Sequence, residues 1–65
     1  MILVKYLPKL KDYIIIKGKR YNRYSVIYES WLWAKRTAKS LRNEGYNVRI
    51  FQSPNGFVLY IRERK

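Results

Sequence analysis

The chain has to fold on its apolar core alone, because its 65 residues include neither cysteine nor histidine. No disulfide can form, and the usual ligands of a structural zinc ion are missing. A single domain of this length is close to the lower limit for folding without such aids. The chain carries 48% hydrophobic residues, among them seven tyrosines, two tryptophans and two phenylalanines. We therefore expect one domain over residues 1–65, either with a dense core of its own or as a homodimer that buries part of this apolar surface.

Positive charge is the strongest functional signal in the sequence. Fifteen lysines and arginines face four acidic residues, which gives a formal net charge of +11. A charge of this size opposes compaction and attracts polyanions. It predicts DNA or RNA as the partner. The competing interpretation is a merely soluble cationic surface on a protein from a hot environment, but such surfaces usually balance lysine with glutamate.

The first residues are apolar but do not form a targeting or membrane segment. The run from Met1 to Val4 is interrupted by Lys5 and Pro8, far short of a membrane span or a signal core. We expect no membrane partner and a cytoplasmic location.

The helix has the clearest boundaries in the sequence. Ser30 predicts an N-cap, since its hydroxyl can accept from the first free amides of a helix. Gly45 fits the residue of positive φ that ends many helices. The pattern therefore predicts a helix over residues 31–44. Its buried stripe, at helical spacing, is predicted to contain Trp31, Ala34, Ala38 and Leu41.

β-Branched and aromatic runs on either side of this helix predict two hairpins. The first joins strands 13–17 and 23–29 by a reversal within residues 18–22. The second joins strands 47–52 and 57–62 by a type I turn at residues 53–56. A further strand can lie within residues 1–7. This order predicts an α+β fold with an antiparallel sheet and one helix packed on one face.

One face of the second hairpin is a candidate nucleic-acid platform. Alternation along the strands predicts that Phe57, Leu59 and Ile61 face the helix. Phe51 and Tyr60 then lie on the opposite face between arginines, and rings flanked by guanidinium groups suit single-stranded nucleic acid. The first hairpin can extend this platform with Tyr24 and Tyr28, but its strands are apolar on both sides and leave its facing open. The alternative is that residues 1–10 or a second subunit cover the face.

Basic residues of the first hairpin and of the outer helix face are further candidates for phosphate contacts. A two-stranded ribbon with a basic loop can enter a groove of a duplex, although loops and outer helix faces also gather cations for solubility. DNA and RNA, and single strand and duplex, stay open. The complete set of predicted nucleic-acid-binding residues is Lys17, Lys19, Arg20, Arg23, Tyr24, Arg36, Lys39, Arg49, Phe51, Tyr60 and Arg62.

The residue types argue against catalysis. Histidine and cysteine are absent, and the four acidic residues are scattered through different predicted elements. The three glycines form no phosphate-binding motif. A catalytic site needs a nucleophile, base or acid with supporting neighbours, so we expect no enzymatic activity, no cofactor and no metal site.

Overall fold

One helix and a five-stranded sheet make up the part of the chain that the computed structural model describes, residues 4–64. The helix lies against one face of the sheet, so the predicted α+β class is confirmed. Along the chain the elements are β1 (Lys5–Tyr6), β2 (Tyr13–Ile16), β3 (Lys19–Tyr28), α1 (Trp31–Asn43), β4 (Tyr46–Ser53) and β5 (Gly56–Glu63).

The sheet is mixed, whereas the sequence predicted an antiparallel one. Its strand order is β1-β4-β5-β3-β2, and every neighbouring pair is antiparallel except β1 and β4. β1 runs parallel to β4, with Lys5 opposite Phe51. It falls within the predicted strand 1–7, of which residues 1–3 lie outside the described part of the chain. Because β1 and β2 occupy opposite edges, the segment that joins them has to cross the sheet.

The first hairpin turns earlier than the sequence predicted. Ile16 is opposite Lys19, so the loop consists of Lys17 and Gly18 alone. Both have positive φ, 52° and 78°, as a type I′ turn requires. The predicted reversal within residues 18–22 is therefore wrong, and β3 begins at Lys19 instead of Arg23. This change places two of the predicted loop cations on a strand.

The helix follows the prediction closely. The Ser30 hydroxyl accepts from the amide of Leu32 at 3.2 Å. At the other end Gly45 has a φ of +103°, and its N–H donates to the carbonyl of Arg42 at 3.1 Å. The predicted stripe faces the sheet: its members Ala34, Ala38 and Leu41 are buried.

Both faces of the sheet carry a core. On the helix side the buried residues are Ala38, Leu41, Val48 and Leu59, flanked by partly buried Tyr24, Tyr28, Tyr46, Ile50 and Ile61. On the other side they are Tyr21, Phe51, Val58 and Tyr60, covered by Leu7, Leu10, Ile14 and Ile16. The second core contains residues of the segment that crosses the sheet, so this segment is part of the fold and not a loose end.

Candidate nucleic-acid interface

The predicted stacking platform is buried. Tyr60 is 0% exposed and Phe51 is 8% exposed, because the segment between β1 and β2 crosses this face and packs Leu7 and Leu10 against it. The Tyr60 hydroxyl donates to the carbonyl of Lys11 at 2.6 Å and accepts from the amide of Lys11 at 3.1 Å. The expectation of an open face is wrong, and cover by the N-terminal residues is what the structure shows. In this conformation no base can stack on either ring.

Tyr24 and Arg23 are also engaged within the fold. Tyr24 is partly buried on the helix side of the sheet, away from Phe51. The Arg23 guanidinium lies 3.8 Å from the Asp12 carboxylate, and the Arg23 amide donates to the Asp12 carbonyl at 2.9 Å. These two contacts hold the end of the crossing segment to β3, so Arg23 has a structural role.

The tip of the first hairpin carries three exposed cations, Lys17, Lys19 and Arg20. The pairing of β3 with β5 begins at Asn22, so the tip extends beyond the last pair between these two strands. The Arg20 guanidinium lies 4.1 Å from the centre of the Tyr13 ring, and its Nε donates to the side-chain oxygen of Asn22 at 3.1 Å. These contacts orient Arg20 along the ribbon while leaving it exposed.

An open cleft of about 970 Å³ lies between the crossing segment, β2 and β4. We call it the basic cleft, because four of the residues that line it are the cations Lys5, Lys11, Lys17 and Arg49. Apolar side chains, including Leu7 and Phe51, also line it. Asp12 is the one acid of its lining, and this carboxylate already contacts Arg23. The cleft therefore suits an anionic ligand.

A smaller hollow of about 270 Å³ shares one lining residue, Arg49, with the basic cleft. Arg42 and Arg64 are its other cations. Their guanidinium groups donate to backbone carbonyls, Arg42 to Val48 at 3.0 Å and Arg64 to Arg42 at 2.9 Å. Neither bond neutralises charge. Six cations line the two depressions, and we call this set the basic belt: Lys5, Lys11, Lys17, Arg42, Arg49 and Arg64.

The helix extends this surface on one side only. At about 100° per residue, Lys35 and Lys39 fall on the same flank as Arg42, and both are exposed. Arg36 points elsewhere, with its guanidinium 5.3 Å from the Trp33 ring. Arg62 is half-buried on β5 opposite Asn47, a residue that lines the smaller hollow. Of the predicted cations, Lys17 and Arg49 therefore lie in the belt, Lys39 and Arg62 border it, and Arg36 does not.

The positive charge is almost entirely without acidic partners and is unevenly distributed. Of the 15 lysines and arginines, 14 lie in residues 4–64, and within that range only Arg23 comes within 4.0 Å of a carboxylate. Residues 24–34, by contrast, contain no lysine or arginine and one acid, Glu29. This stretch covers the second half of β3 and the start of α1, next to which the Arg36 guanidinium lies 5.3 Å from the Trp33 ring.

Four members of the basic belt were missed by the sequence prediction: Lys5, Lys11, Arg42 and Arg64. Lys11 comes from a segment that lacks any periodic pattern and reaches the belt only because the chain crosses the sheet, whereas Lys5 reaches it through the pairing of β1 with β4. Arg42 carries a usable signal, since helical spacing places it beside Lys35 and Lys39.

Other kinds of site find no support in the described residues. Across residues 4–64 the structure brings no three His, Cys, Asp or Glu side chains close enough to share a metal ion. The one helix in this range, α1, is too short and too polar to cross a membrane.

Comparison with known proteins adds no family to this description. No family model, no curated protein and no solved structure matches the chain.

Proposed function

We propose that this protein is a non-enzymatic DNA-binding protein that holds the phosphate backbone of a duplex with its basic belt. The observation that carries the proposal is that six cations line two depressions sharing Arg49, and that none of the six lies within 4.0 Å of a carboxylate of residues 4–64. When a cation has no acidic partner, no carboxylate offsets its attraction to a phosphate. Each phosphate contact releases condensed counterions, which is a large source of affinity for nucleic acid.

The burial of the predicted stacking rings weighs against the single-strand platform, while Tyr6 and Tyr13 remain exposed. Affinity for single strands depends largely on exposed rings that stack on bases, and the rings predicted for that role are covered. The hairpin tip instead presents Lys17, Lys19 and Arg20 on a two-stranded ribbon. A ribbon of this kind fits the major groove of B-form DNA, which is about 12 Å wide. The major groove of an RNA duplex is too narrow for side chains to read, so DNA is the proposed partner.

Fluorescence anisotropy with a labelled DNA duplex at several salt concentrations tests the proposal. If the six belt cations each contact a phosphate, log K should fall against log salt with a slope of about −5. A single strand and an RNA duplex of the same sequence should bind more weakly. Affinity that does not change with salt, or no binding in dilute buffer, would contradict the proposal.

Two single substitutions distinguish the basic belt from general charge. Arg49→Gln removes the cation that both depressions share. It should therefore weaken binding to all duplex sequences and make the slope of log K against log salt less steep by about 1. Arg36→Gln is the matched control, because it removes the same charge from the flank of α1 that carries Trp33, outside the basic belt. Equal losses for the two variants would mean that the net charge and not the belt binds DNA.

A second candidate function is a homodimeric interaction module. The observation that favours it is the apolar surface that exposed Val26, Leu32 and Trp33 offer within residues 24–34, a stretch without lysine or arginine. Such a surface is compatible with DNA binding elsewhere on the molecule.

A further inference from the structure

The first hairpin has one exposed face. Tyr13 lies opposite Asn22. Ile15 lies opposite Arg20 in the same pair of strands. Side chains of directly opposed residues share a face of an antiparallel pair, and all four are exposed. The alternate residues of both strands point the other way, towards the second core. We call these four residues the hairpin face.

Two neighbours on the hairpin face orient Arg20. Its guanidinium lies 4.1 Å from the centre of the Tyr13 ring, close enough for a favourable cation–π contact. Its Nε donates to the side-chain oxygen of Asn22 at 3.1 Å. Within residues 4–64 the two terminal nitrogens of Arg20 make no hydrogen bond and lie farther than 4.0 Å from any carboxylate. The free end of the guanidinium is therefore a fork of N–H donors with a set direction.

The chemistry of this fork matches one base. The two terminal nitrogens carry only donors, because a guanidinium has no acceptor. In the major groove, guanine presents two acceptors, N7 and O6, side by side. Adenine pairs its one acceptor with a donor, cytosine presents a donor, and thymine presents one acceptor beside a methyl group. A planar fork of donors can therefore make two parallel bonds to guanine and to no other base.

The hairpin is placed so that its face can reach a groove while the basic belt contacts the strands beside it. Tyr21, on the same ribbon, lines the smaller hollow together with Arg42 and Arg64. These two belt cations therefore lie near the base of the hairpin, and a third, Lys17, lies in its turn. A ribbon in the major groove has phosphates on both sides, which suits this arrangement of charge.

Arg20 differs from the other cations of the hairpin tip in its fixed direction. A phosphate contact depends mainly on charge, which the exposed Lys17 and Lys19 already supply. A stacked guanidinium with its Nε occupied has few orientations left, and recognition of a flat base edge by two bonds depends on orientation. The contacts of Arg20 therefore favour a base over a phosphate as its partner.

We propose that Arg20 gives the protein a preference for guanine, its two terminal nitrogens donating to N7 and O6 in the major groove. Tyr13 and Asn22 are positioning residues that hold the guanidinium in place. The inference rests on the proposed function, because the basic belt has to hold the duplex for the hairpin to meet its bases.

Fluorescence anisotropy with three duplexes of equal length and charge tests the preference. The first has guanine on both strands, the second has every guanine replaced by 7-deazaguanine, which lacks the N7 acceptor, and the third contains only A·T pairs. A bidentate contact to a base discriminates by about 5- to 150-fold. We expect the first duplex to bind more tightly than the third by a factor in this range, with the second in between.

Substitutions assign the preference to the hairpin face. Arg20→Gln should bind the three duplexes equally. Lys19→Gln is the matched control: it removes the same charge from the neighbouring exposed residue, which points to the other side of β3. It should weaken binding to all three duplexes by one factor and keep their ratios. Tyr13→Leu should reduce the preference without changing the salt slope, whereas Tyr13→Phe keeps a ring beside the guanidinium and should retain it.

The outcomes separate this inference from the proposed function. Equal affinity of the unmodified protein for the three duplexes, with a salt slope of about −5, would overturn the role of Arg20 and leave duplex binding by the basic belt intact. A preference for guanine that persists in Arg20→Gln would also overturn it. Absence of duplex binding, or binding that salt does not affect, would overturn both.

Discussion

Removing one oxygen atom from Tyr60 should destabilise the protein substantially. Tyr60→Phe keeps the buried ring but deletes the hydroxyl that bonds to both the amide and the carbonyl of Lys11. Each of these bonds contributes about 0.5–1.5 kcal/mol, and partly buried backbone groups left without partners add to the loss. We expect the free energy of unfolding to fall by about 1.5–3 kcal/mol. In a domain of this size, a loss of that magnitude lowers the Tm by on the order of 10 °C.

Urea and thermal unfolding followed by circular dichroism measure this effect. The matched control is Tyr6→Phe, because Tyr6 is exposed and its hydroxyl makes no hydrogen bond within residues 4–64. The control should remain within about 0.5 kcal/mol of the unmodified protein, as is usual for surface substitutions. Hydrogen exchange adds a local measurement, since the amide of Lys11 should exchange faster in Tyr60→Phe.

The DNA affinity of the same variant separates a structural role from a binding role. If Tyr60 only holds the crossing segment, Tyr60→Phe should bind duplex DNA normally at temperatures where it is folded. A variant as stable as the unmodified protein would refute the reasoning, because it would mean that the crossing segment does not depend on this side chain.

Two further substitutions test the local structure. Gly56→Ala should destabilise by more than about 1 kcal/mol, because Gly56 has a φ of +135° and an added Cβ would lie 2.5 Å from the carbonyl oxygen of Tyr28; a denaturant titration that shows no loss would contradict this. Ser30→Ala removes the oxygen that accepts from the Leu32 amide and should cost about 1 kcal/mol, measured the same way, whereas Ser30→Asp should restore most of the loss.

The helix was predictable because its signals are local. A capping hydroxyl at Ser30, a glycine at position 45 and a stripe with helical spacing each act within a few residues. The facing of β5 was predictable for the same reason, since alternate residues of a strand point to opposite faces. Leu59 lies against the helix and Tyr60 lies against the other core, as alternation requires.

The cover over the second face was not predictable from any local pattern. Residues 7–12 mix leucine with lysine and proline and have no helical or strand period. What fixes them is a set of long-range contacts: the packing of Leu7 and Leu10 on the second core, the bond from the Arg23 amide to Asp12, and the two bonds between Lys11 and Tyr60, which are 49 residues apart. For the same reason the sequence could offer residues 1–10 only as one of two alternatives, and it placed Phe51 and Tyr60 in an exposed site.

The position of the first turn was missed for a different reason. A type I′ turn needs two residues with positive φ, and asparagine or aspartate normally marks the first of them. Here Lys17 takes that position with a φ of 52°, and lysine gives no such mark. The error moved Lys19 and Arg20 from a strand into a loop, although both remain exposed cations at the hairpin tip.

The route of the N-terminal segment has a consequence for biosynthesis. The residues that seal the second core leave the ribosome before β4 and β5, the strands against which they pack. Strand β1 cannot dock before residues 51 and 52 have been made, and Lys11 must wait for Tyr60. A nascent chain therefore carries Leu7 and Leu10 without their packing partners until β4 and β5 have been made, and the second core can close only after that point.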